Sequence, residues 1–247
     1  MQHRWFSLLG GARAPQVRLY CLPYAGAGHT IFRPWGALVS DALELALVKL
    51  PGRGERYREP RPATLAGLAD SIADAIAAEA PHRFALFGHS MGALMAFEVA
   101  RRLSHDLGRP PEALFVSGRR APGSPASLAP LLQLDDAGFL RHVHAMGGFP
   151  DELLANQDAV DYFLPILRAD FAWCEQHRDR PRPPLPCPIV VYGGRDDSTA
   201  PPALLQGWAG QSSAGCRIEL YDGGHFFLFP QQDGLLRSIQ QSLGLAV

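Results

Sequence analysis

The segment with the clearest chemical meaning is Gly88–Gly92, which reads Gly-His-Ser-Met-Gly. It follows a short apolar run, Phe84–Phe87, and precedes a helical pattern, so Ser90 would stand on a sharp turn between a strand and a helix. Glycines on both sides make room for such a turn. The serine hydroxyl would then be presented at the carboxyl edge of a sheet, beside the positive end of the following helix. The segment therefore predicts a nucleophilic serine.

A serine hydroxyl is a weak nucleophile until a base accepts its proton. The best candidate for that base is His225, which follows the strand pattern Arg217–Tyr221 in a loop rich in glycine. Such a loop can bring an imidazole over the edge of the sheet that carries Ser90. His89 is the variable residue of the serine segment and is not expected to act as a base.

The base in turn needs an acid that accepts its second N–H and stabilises the imidazolium. Two adjacent carboxylates, Asp196 and Asp197, follow the strand pattern Ile189–Tyr192. We predict Asp197 as the acid, because a proline comes four residues later, where this loop would turn into its helix. Asp196 stays an alternative, and Asp222 is interpreted as a turn residue.

Acyl transfer also requires donors for the oxyanion that develops on the substrate carbonyl. The backbone N–H of Met91, directly after the serine, is one candidate. The loop after the strand pattern Val17–Leu22 supplies the other, and there we assign the backbone N–H of Ala25. The glycines of this loop also permit a tight turn.

No metal or cofactor is predicted. His142 and His144 are two residues apart on a helical pattern, so their side chains diverge, and no nearby carboxylate or cysteine completes a metal site. His29 is interpreted as a solvated loop residue near the predicted oxyanion loop. The four cysteines form no CxxC pair and indicate small buried residues in a reducing compartment. The short apolar N-terminus is interpreted as mature protein, and a cytoplasmic location is expected.

Strand patterns alternate with helical ones in the first half of the chain, which predicts βαβ units and a mostly parallel sheet. The alternation stops at about residue 122 and resumes after 178. We therefore expect one domain, with a core formed by residues 1–121 and 179–247 and a helical insertion at 122–178. The predicted strands are Val17–Leu22, Leu43–Leu50, Phe84–Phe87, Ala113–Val116, Ile189–Tyr192 and Arg217–Tyr221, and the predicted helices are 64–80, 91–103, 135–146, 160–176 and 233–243.

The composition is consistent with a globular enzyme. The 247 residues are 47% hydrophobic and 19% charged, which excludes a disordered or fibrous chain. The net charge of −1 argues against a general nucleic-acid binder. No apolar run approaches the roughly 18 residues of a membrane span.

At several points along nearly its whole length the chain resembles the stand-alone type II thioesterases that accompany nonribosomal peptide and polyketide synthases. The medium-chain thioesterase of animal fatty-acid synthesis is a relative of that family. The resembling segments are Leu22–Gly28, Leu50–Arg56, Phe87–Ala93, Gly147–Pro150, Leu164–Asp170, Gly193–Asp197 and Gly223–Leu228.

The resemblance implies an α/β-hydrolase fold, with the insertion as a helical lid. It also implies an enzyme that hydrolyses acyl, aminoacyl or peptidyl thioesters on the phosphopantetheine arm of carrier proteins and so removes wrongly loaded groups. Ser90, Asp197 and His225 are carried over as the catalytic residues, and the amides of Ala25 and Met91 as the oxyanion hole. The partners implied are acyl and peptidyl carrier proteins, and a monomer is expected.

Two other functions fit part of the pattern. An esterase or lipase acting on free esters or acyl-coenzyme A would use the same residues, whereas a noncatalytic docking module would not need them. Because carrier proteins are usually acidic, we also considered a basic docking surface. Its candidate residues are Arg53, Arg56, Arg58 and Arg61 in one loop, with Arg119 and Arg120 before the insertion.

Overall fold

Seven strands form the central sheet of the protein, whose computed structural model describes residues 4–10, 15–124 and 131–246. The strands are β1 (Phe6–Gly10), β2 (Val17–Leu22), β3 (Leu43–Val48), β4 (Phe84–His89), β5 (Leu114–Ser117), β6 (Ile189–Gly194) and β7 (Cys216–Tyr221). Their spatial order is β1-β3-β2-β4-β5-β6-β7. All neighbouring pairs are parallel except β1 and β3. The predicted mostly parallel sheet is confirmed.

The N-terminal strand β1 is the strand that the sequence patterns missed. It pairs antiparallel with β3 from Phe6 opposite Val48 to Gly10 opposite Glu44. Phe6 alone of its five residues is buried, so the run carries too little apolar patterning to signal a strand. The neighbouring residues 12–14, which resemble a signal-peptide cleavage site, lie outside the described residues.

In the described ranges, seven α-helices lie between and beside the strands. They are α1 (Leu65–Glu79), α2 (Met91–Arg101), α3 (Asp136–Ala145), α4 (Asp151–Leu154), α5 (Gln157–Gln176), α6 (Pro202–Leu205) and α7 (Gln232–Ser242). The predicted start of α1 is confirmed, because the Thr64 side chain accepts a hydrogen bond from the Gly67 N–H at 3.1 Å. A 3₁₀ segment, His29–Ala37, follows β2.

The sheet is covered on both faces, which explains why β4 is buried at every position. Alternate strand residues point to opposite sides. Tyr20, Leu86 and Val116 pack in one hydrophobic cluster with α1 and α2. Phe87 and Tyr192 belong to a second cluster, which also holds residues of the 3₁₀ segment and of α7. The carboxyl edge of the sheet is left for the loops that bear the predicted chemistry.

The chain between β5 and β6 contains α3, α4 and α5, as the absence of strand patterns predicted. These helices enclose a small hydrophobic cluster of their own, which includes Phe139 and Phe149. The C-terminal part of α5 packs on the core instead, where the Trp173 indole N–H donates to the Pro62 carbonyl at 3.1 Å. Within the described residues, no helix combines the length and apolarity needed to cross a bilayer.

Candidate active site

Ser90 sits at the turn between β4 and α2 in a rare backbone conformation, with φ 54° and ψ −114°. Two glycines make the turn possible. A Cβ on Gly88 would overlap the Gly92 carbonyl, and a Cβ on Gly92 would overlap the Leu22 carbonyl at the end of β2. The start of α2 therefore lies directly against the end of β2, and the serine side chain stands at the carboxyl edge of the sheet.

The structure brings Ser90, His225 and Asp197 together. The His225 Nε2 atom lies 3.0 Å from Ser90 Oγ, and its Nδ1 atom lies 2.9 Å from Asp197 Oδ2. His225 and Asp197 are both buried. Asp196 is exposed, and its backbone N–H donates to the Gly223 carbonyl at 3.0 Å. Of the two candidate acids, Asp197 is therefore the one in contact with the imidazole.

The surroundings of Asp197 keep its carboxylate ionised. Burial alone would raise the pKa of Asp197, but the hydrogen bond and charge of His225 together with two backbone donors hold that pKa below its ordinary value. The donors are the N–H groups of Thr199 and Ala200, which lie 2.8 and 3.0 Å from Asp197 Oδ1. The carboxylate is therefore an acceptor at both oxygens, and His225 must donate its Nδ1 proton to it.

His89 packs beside His225, with ring centroids 5.0 Å apart. Its Nδ1 atom lies 3.0 Å from Ser117 Oγ, and burial together with the nearby charge of His225 lowers the pKa of His89 well below its ordinary value. A Cβ on Gly118, whose φ is +58°, would overlap the His89 ring. The His89 side chain is thus neutral, and it packs against the His225 ring without placing a second positive charge beside it.

The two amides predicted for the oxyanion are available. Met91 is the first residue of α2, where an N–H has no partner within the helix. Ala25 lies in the loop after β2. The end of β2 lies against the start of α2, because Gly92 contacts the Leu22 carbonyl. Among the described residues, neither N–H donates a hydrogen bond. Both residues line the same cavity as Ser90.

That cavity has a volume of about 400 Å³. Its lining includes three apolar residues, Leu131, Met146 and Phe171, from the segment between β5 and β6. Arg119 and Arg120 also line it, so two cations of the considered docking set belong to the chamber. Burial and the adjacent positive charge of Arg119 lower the pKa of Arg120.

Two of the four arginines in the basic loop after β3 are not available for the docking surface that we considered. Arg53 is 4% exposed and forms a buried ion pair with Asp170 of α5, while Arg56 is 6% exposed and donates to the Lys49 carbonyl. The hypothesis is wrong for these two residues, because their charges are used inside the protein. Arg58 is exposed, and Arg61 is half-buried.

Spacing could not have revealed the Arg53–Asp170 pair, because its members are 117 residues apart. The one signal in the sequence is that Asp170 falls on the apolar face of α5 with Ile166, Leu167 and Trp173, all of which are buried. A carboxylate on such a face needs a buried partner.

The remaining candidates have simple places in the fold. His29 is 8% exposed, so its prediction as a solvated residue is wrong, and burial lowers its pKa. His144 Nδ1 lies 2.8 Å from the Phe149 carbonyl oxygen. No three His, Cys, Asp or Glu side chains of the described residues are grouped as a metal site. All four cysteines are free, and Asp222 forms an exposed ion pair with Arg195.

The α/β-hydrolases are defined by a mostly parallel sheet and a serine on a strand–helix turn, with an acid and a histidine that follow later strands. This protein has each of these features. Within that class, the chain belongs to the thioesterase family, since residues 17–243 match the Thioesterase domain. The resemblance stated from the sequence motifs is thereby confirmed.

Several known proteins are similar to this chain over nearly its whole length. It is 38% identical to RedJ, a thioesterase of the prodiginine pathway in Streptomyces coelicolor, with a TM-score of 0.87 over 93% of this chain and 91% of RedJ. It is 31% identical to BorB, a type II thioesterase of the borrelidin cluster, with a TM-score of 0.88 over 97% of each chain. It is 35% identical to the thioesterase PikA5 of Streptomyces venezuelae, covering 97% of this chain and 85% of PikA5.

Proposed function

We propose that the protein hydrolyses acyl, aminoacyl or peptidyl thioesters carried on the phosphopantetheine arm of carrier proteins, with Ser90, His225 and Asp197 as the catalytic residues. The hydrogen-bonded line from Asp197 through His225 to Ser90 carries the proposal. The similarity to RedJ, BorB and PikA5 supports the substrate class and an editing role beside a nonribosomal peptide or polyketide synthase.

The reaction begins when Ser90 Oγ attacks the thioester carbonyl carbon and His225 Nε2 accepts the hydroxyl proton. The resulting oxyanion is held by the N–H groups of Ala25 and Met91, which donate to no other group among the described residues. The tetrahedral intermediate then collapses, and the carbon–sulfur bond breaks. His225 returns the proton to the sulfur, so the free thiol of the arm leaves.

An acyl ester of Ser90 remains and is hydrolysed by the reverse sequence. His225 removes a proton from water, and the hydroxide formed attacks the ester carbonyl while the same two amides hold the oxyanion. The proton then passes from His225 to Ser90 Oγ as the carboxylic acid leaves. Asp197 stays ionised throughout, and it stabilises the imidazolium in both halves of the reaction.

We propose that the segment 122–178, of which residues 125–130 lie outside the described residues, acts as a lid over this site. Leu131, Met146 and Phe171 of this segment line the cavity that holds Ser90, so the lid would supply the wall against which the acyl group packs. A cavity of about 400 Å³ lies within the range of small-molecule sites. Arg119 and Arg120 would offer positive charge to the acidic carrier protein or its phosphate. Monomeric state and cytoplasmic location remain predictions from the sequence.

Ser90→Ala tests the proposal directly. The variant should lose acetyl release from a loaded carrier protein by a factor on the order of 10⁶, because without the hydroxyl the acyl-enzyme cannot form. Thiol release from acetylated carrier protein is the measurement. Unchanged turnover would refute the assignment of the nucleophile.

The substrate class needs a separate comparison, because the same residues would serve an esterase. Rates of the wild-type protein on acyl-carrier protein, acyl-coenzyme A and a simple aryl ester should rank the carrier-bound thioester first. A preference for the free ester would overturn the carrier-protein proposal and support the esterase function, while leaving Ser90 as nucleophile. A serine-directed probe that failed to label Ser90 would instead support a noncatalytic module.

A further inference from the structure

A buried ion pair links three segments that are distant in the sequence. Arg53 Nη1 lies 2.7 Å from Asp170 Oδ2, and Arg53 Nη2 lies 2.5 Å from Asp170 Oδ1. Arg53 follows β3, whereas Asp170 lies on α5 and is fully buried. The third segment is the loop after β2 that contains Ala25. Such a two-point contact fixes the orientation of both side chains as well as their distance.

Both members of the ion pair form hydrogen bonds with the backbone of the β2 loop. The Gly26 N–H donates to Asp170 Oδ2 at 2.8 Å, and Arg53 Nη1 donates to the Ala27 carbonyl at 3.0 Å. Gly26 has a φ of +81°, and a Cβ there would overlap the Leu167 side chain of α5. The peptide that carries the Ala25 N–H is therefore next to a backbone segment whose direction is set by Arg53 and Asp170.

The charges of the pair are also matched to the chemistry at Ala25. Asp170 is bound to the amide of Gly26, the residue next to the proposed oxyanion donor Ala25. An unpaired buried carboxylate at this place would repel the oxyanion strongly, because little water is present to screen its charge. Arg53 neutralises Asp170 at both oxygens, and Arg61 Nη1 lies 4.0 Å from Asp170 Oδ1. The carboxylate can thus orient the Gly26 amide without opposing the negative charge formed in the reaction.

We propose that Arg53 and Asp170 are positioning residues for the oxyanion hole, acting through the Gly26 and Ala27 backbone on the Ala25 amide. This inference rests on the proposed role of the Ala25 amide. Because the oxyanion exists in the transition state and not in the bound substrate, a misplaced amide should lower kcat and leave KM nearly unchanged.

The test uses Arg53→Lys, Arg53→Gln and the double variant Arg53→Gln/Asp170→Asn. The double variant keeps hydrogen-bonding groups at both positions but leaves no unpaired buried charge, so it guards against loss of folding. We expect Arg53→Gln to lower kcat about 100-fold, the loss typical of one misplaced or missing oxyanion donor, with little change in KM. Arg53→Lys should recover part of that loss, because it restores the charge but only one of the two contacts.

Arg56→Gln is the matched control. Arg56 lies in the same loop, is similarly buried and contacts the Lys49 carbonyl, Glu59 and the Trp5 ring, but within the described residues it forms no hydrogen bond with the β2 loop. Its replacement should lower the thermal unfolding midpoint and leave kcat unchanged. Equal losses of kcat in the Arg56 and Arg53 variants would show that the effect is general loosening, which would overturn the proposal.

A boronic acid separates this inference from the choice of substrate. Ser90 Oγ adds to the trigonal boron, its proton passes to His225, and the tetrahedral anion places one oxygen in the oxyanion hole. The inhibition constant of the boronic acid should rise in the Arg53→Gln variant by the factor by which kcat falls. If that constant is unchanged, the positioning role is wrong, whatever substrate the enzyme prefers. If the wild-type protein binds the boronic acid but hydrolyses no thioester, the proposed function fails and the positioning role stands.

Discussion

Replacement of Asp197 by asparagine should disable His225 through a change in its protonated nitrogen. Asp197 Oδ1 accepts two backbone N–H groups, from Thr199 and Ala200, while Oδ2 faces His225 Nδ1. An asparagine must place its carbonyl oxygen at the first position, because its NH₂ group there would face two donors. The NH₂ group is then directed at His225 Nδ1 and donates to it.

An imidazole that accepts at Nδ1 carries its proton on Nε2, the atom that lies 3.0 Å from Ser90 Oγ. That nitrogen can no longer accept the serine proton. The known cost of such a wrong tautomer in a serine protease is about 10⁴-fold in kcat, equivalent to about 5 kcal/mol of transition-state stabilisation. We expect a loss of this order for Asp197→Asn, with little effect on folding because the side-chain volume and both backbone contacts are kept.

The assay is the release of thiol from an acyl thioester, followed at several substrate concentrations to separate kcat from KM. Asp196→Asn is the matched control, since it makes the same chemical change one residue earlier on an exposed side chain. It should leave kcat unchanged. The tautomer argument is refuted if Asp197→Asn keeps more than about a tenth of wild-type kcat, or if the two variants lose activity equally.

Two further predictions concern stability. A helix is normally about 0.5–1 kcal/mol more stable with alanine than with glycine at an interior position. In denaturant unfolding, Gly67→Ala in α1 should stabilise the protein by this amount, because a Cβ there would meet Thr64 Oγ1 at 3.4 Å, whereas Gly92→Ala should destabilise it, because its Cβ would overlap the Leu22 carbonyl. Equal effects of the two substitutions would contradict the packing at the turn. Burial lowers the pKa of His89 well below its ordinary value, so protons bind the unfolded state first, and the free energy of unfolding should fall as the pH drops below about 6.5, by up to about 1.4 kcal/mol per pH unit from this residue. His29, whose pKa burial also lowers, adds to this pH dependence in the same direction. His89→Gln should reduce the slope of the free energy of unfolding against pH between about pH 5 and 7. An unaltered slope would mean that His89 is not responsible for the pH dependence.

Local signals in the sequence were sufficient for the elements that position the nucleophile. The apolar run at β4, the two glycines around Ser90 and the cap at Thr64 each act within a few residues, and the structure has β4, the turn and α1 at the predicted places. Chain order was sufficient to predict that the loops of Asp197 and His225 meet near Ser90, because parallel strands bring the loops that follow them to one edge of the sheet.

Features that depend on distant partners could not be predicted in this way. The sequence makes Arg53 a candidate for a basic docking surface, and only the fold shows Asp170 facing it. His29 is buried by the packing of the 3₁₀ segment on the sheet, although its own stretch of sequence has the composition of a loop. Strand β1 is stabilised by backbone pairing with β3, and such pairing produces little pattern in the sequence of a half-exposed strand of five residues.

The conformation of Ser90 sets a limit on how stable this protein can be. A non-glycine residue at φ 54° and ψ −114° is strained by an amount on the order of 1–3 kcal/mol, which the surrounding fold must offset. Glycine would adopt the same conformation without that strain, but it has no hydroxyl to act as a nucleophile. Selection for stability alone would therefore favour glycine at position 90, and with Ser90 as the proposed nucleophile, retention of serine there would trade stability for catalysis at a single residue.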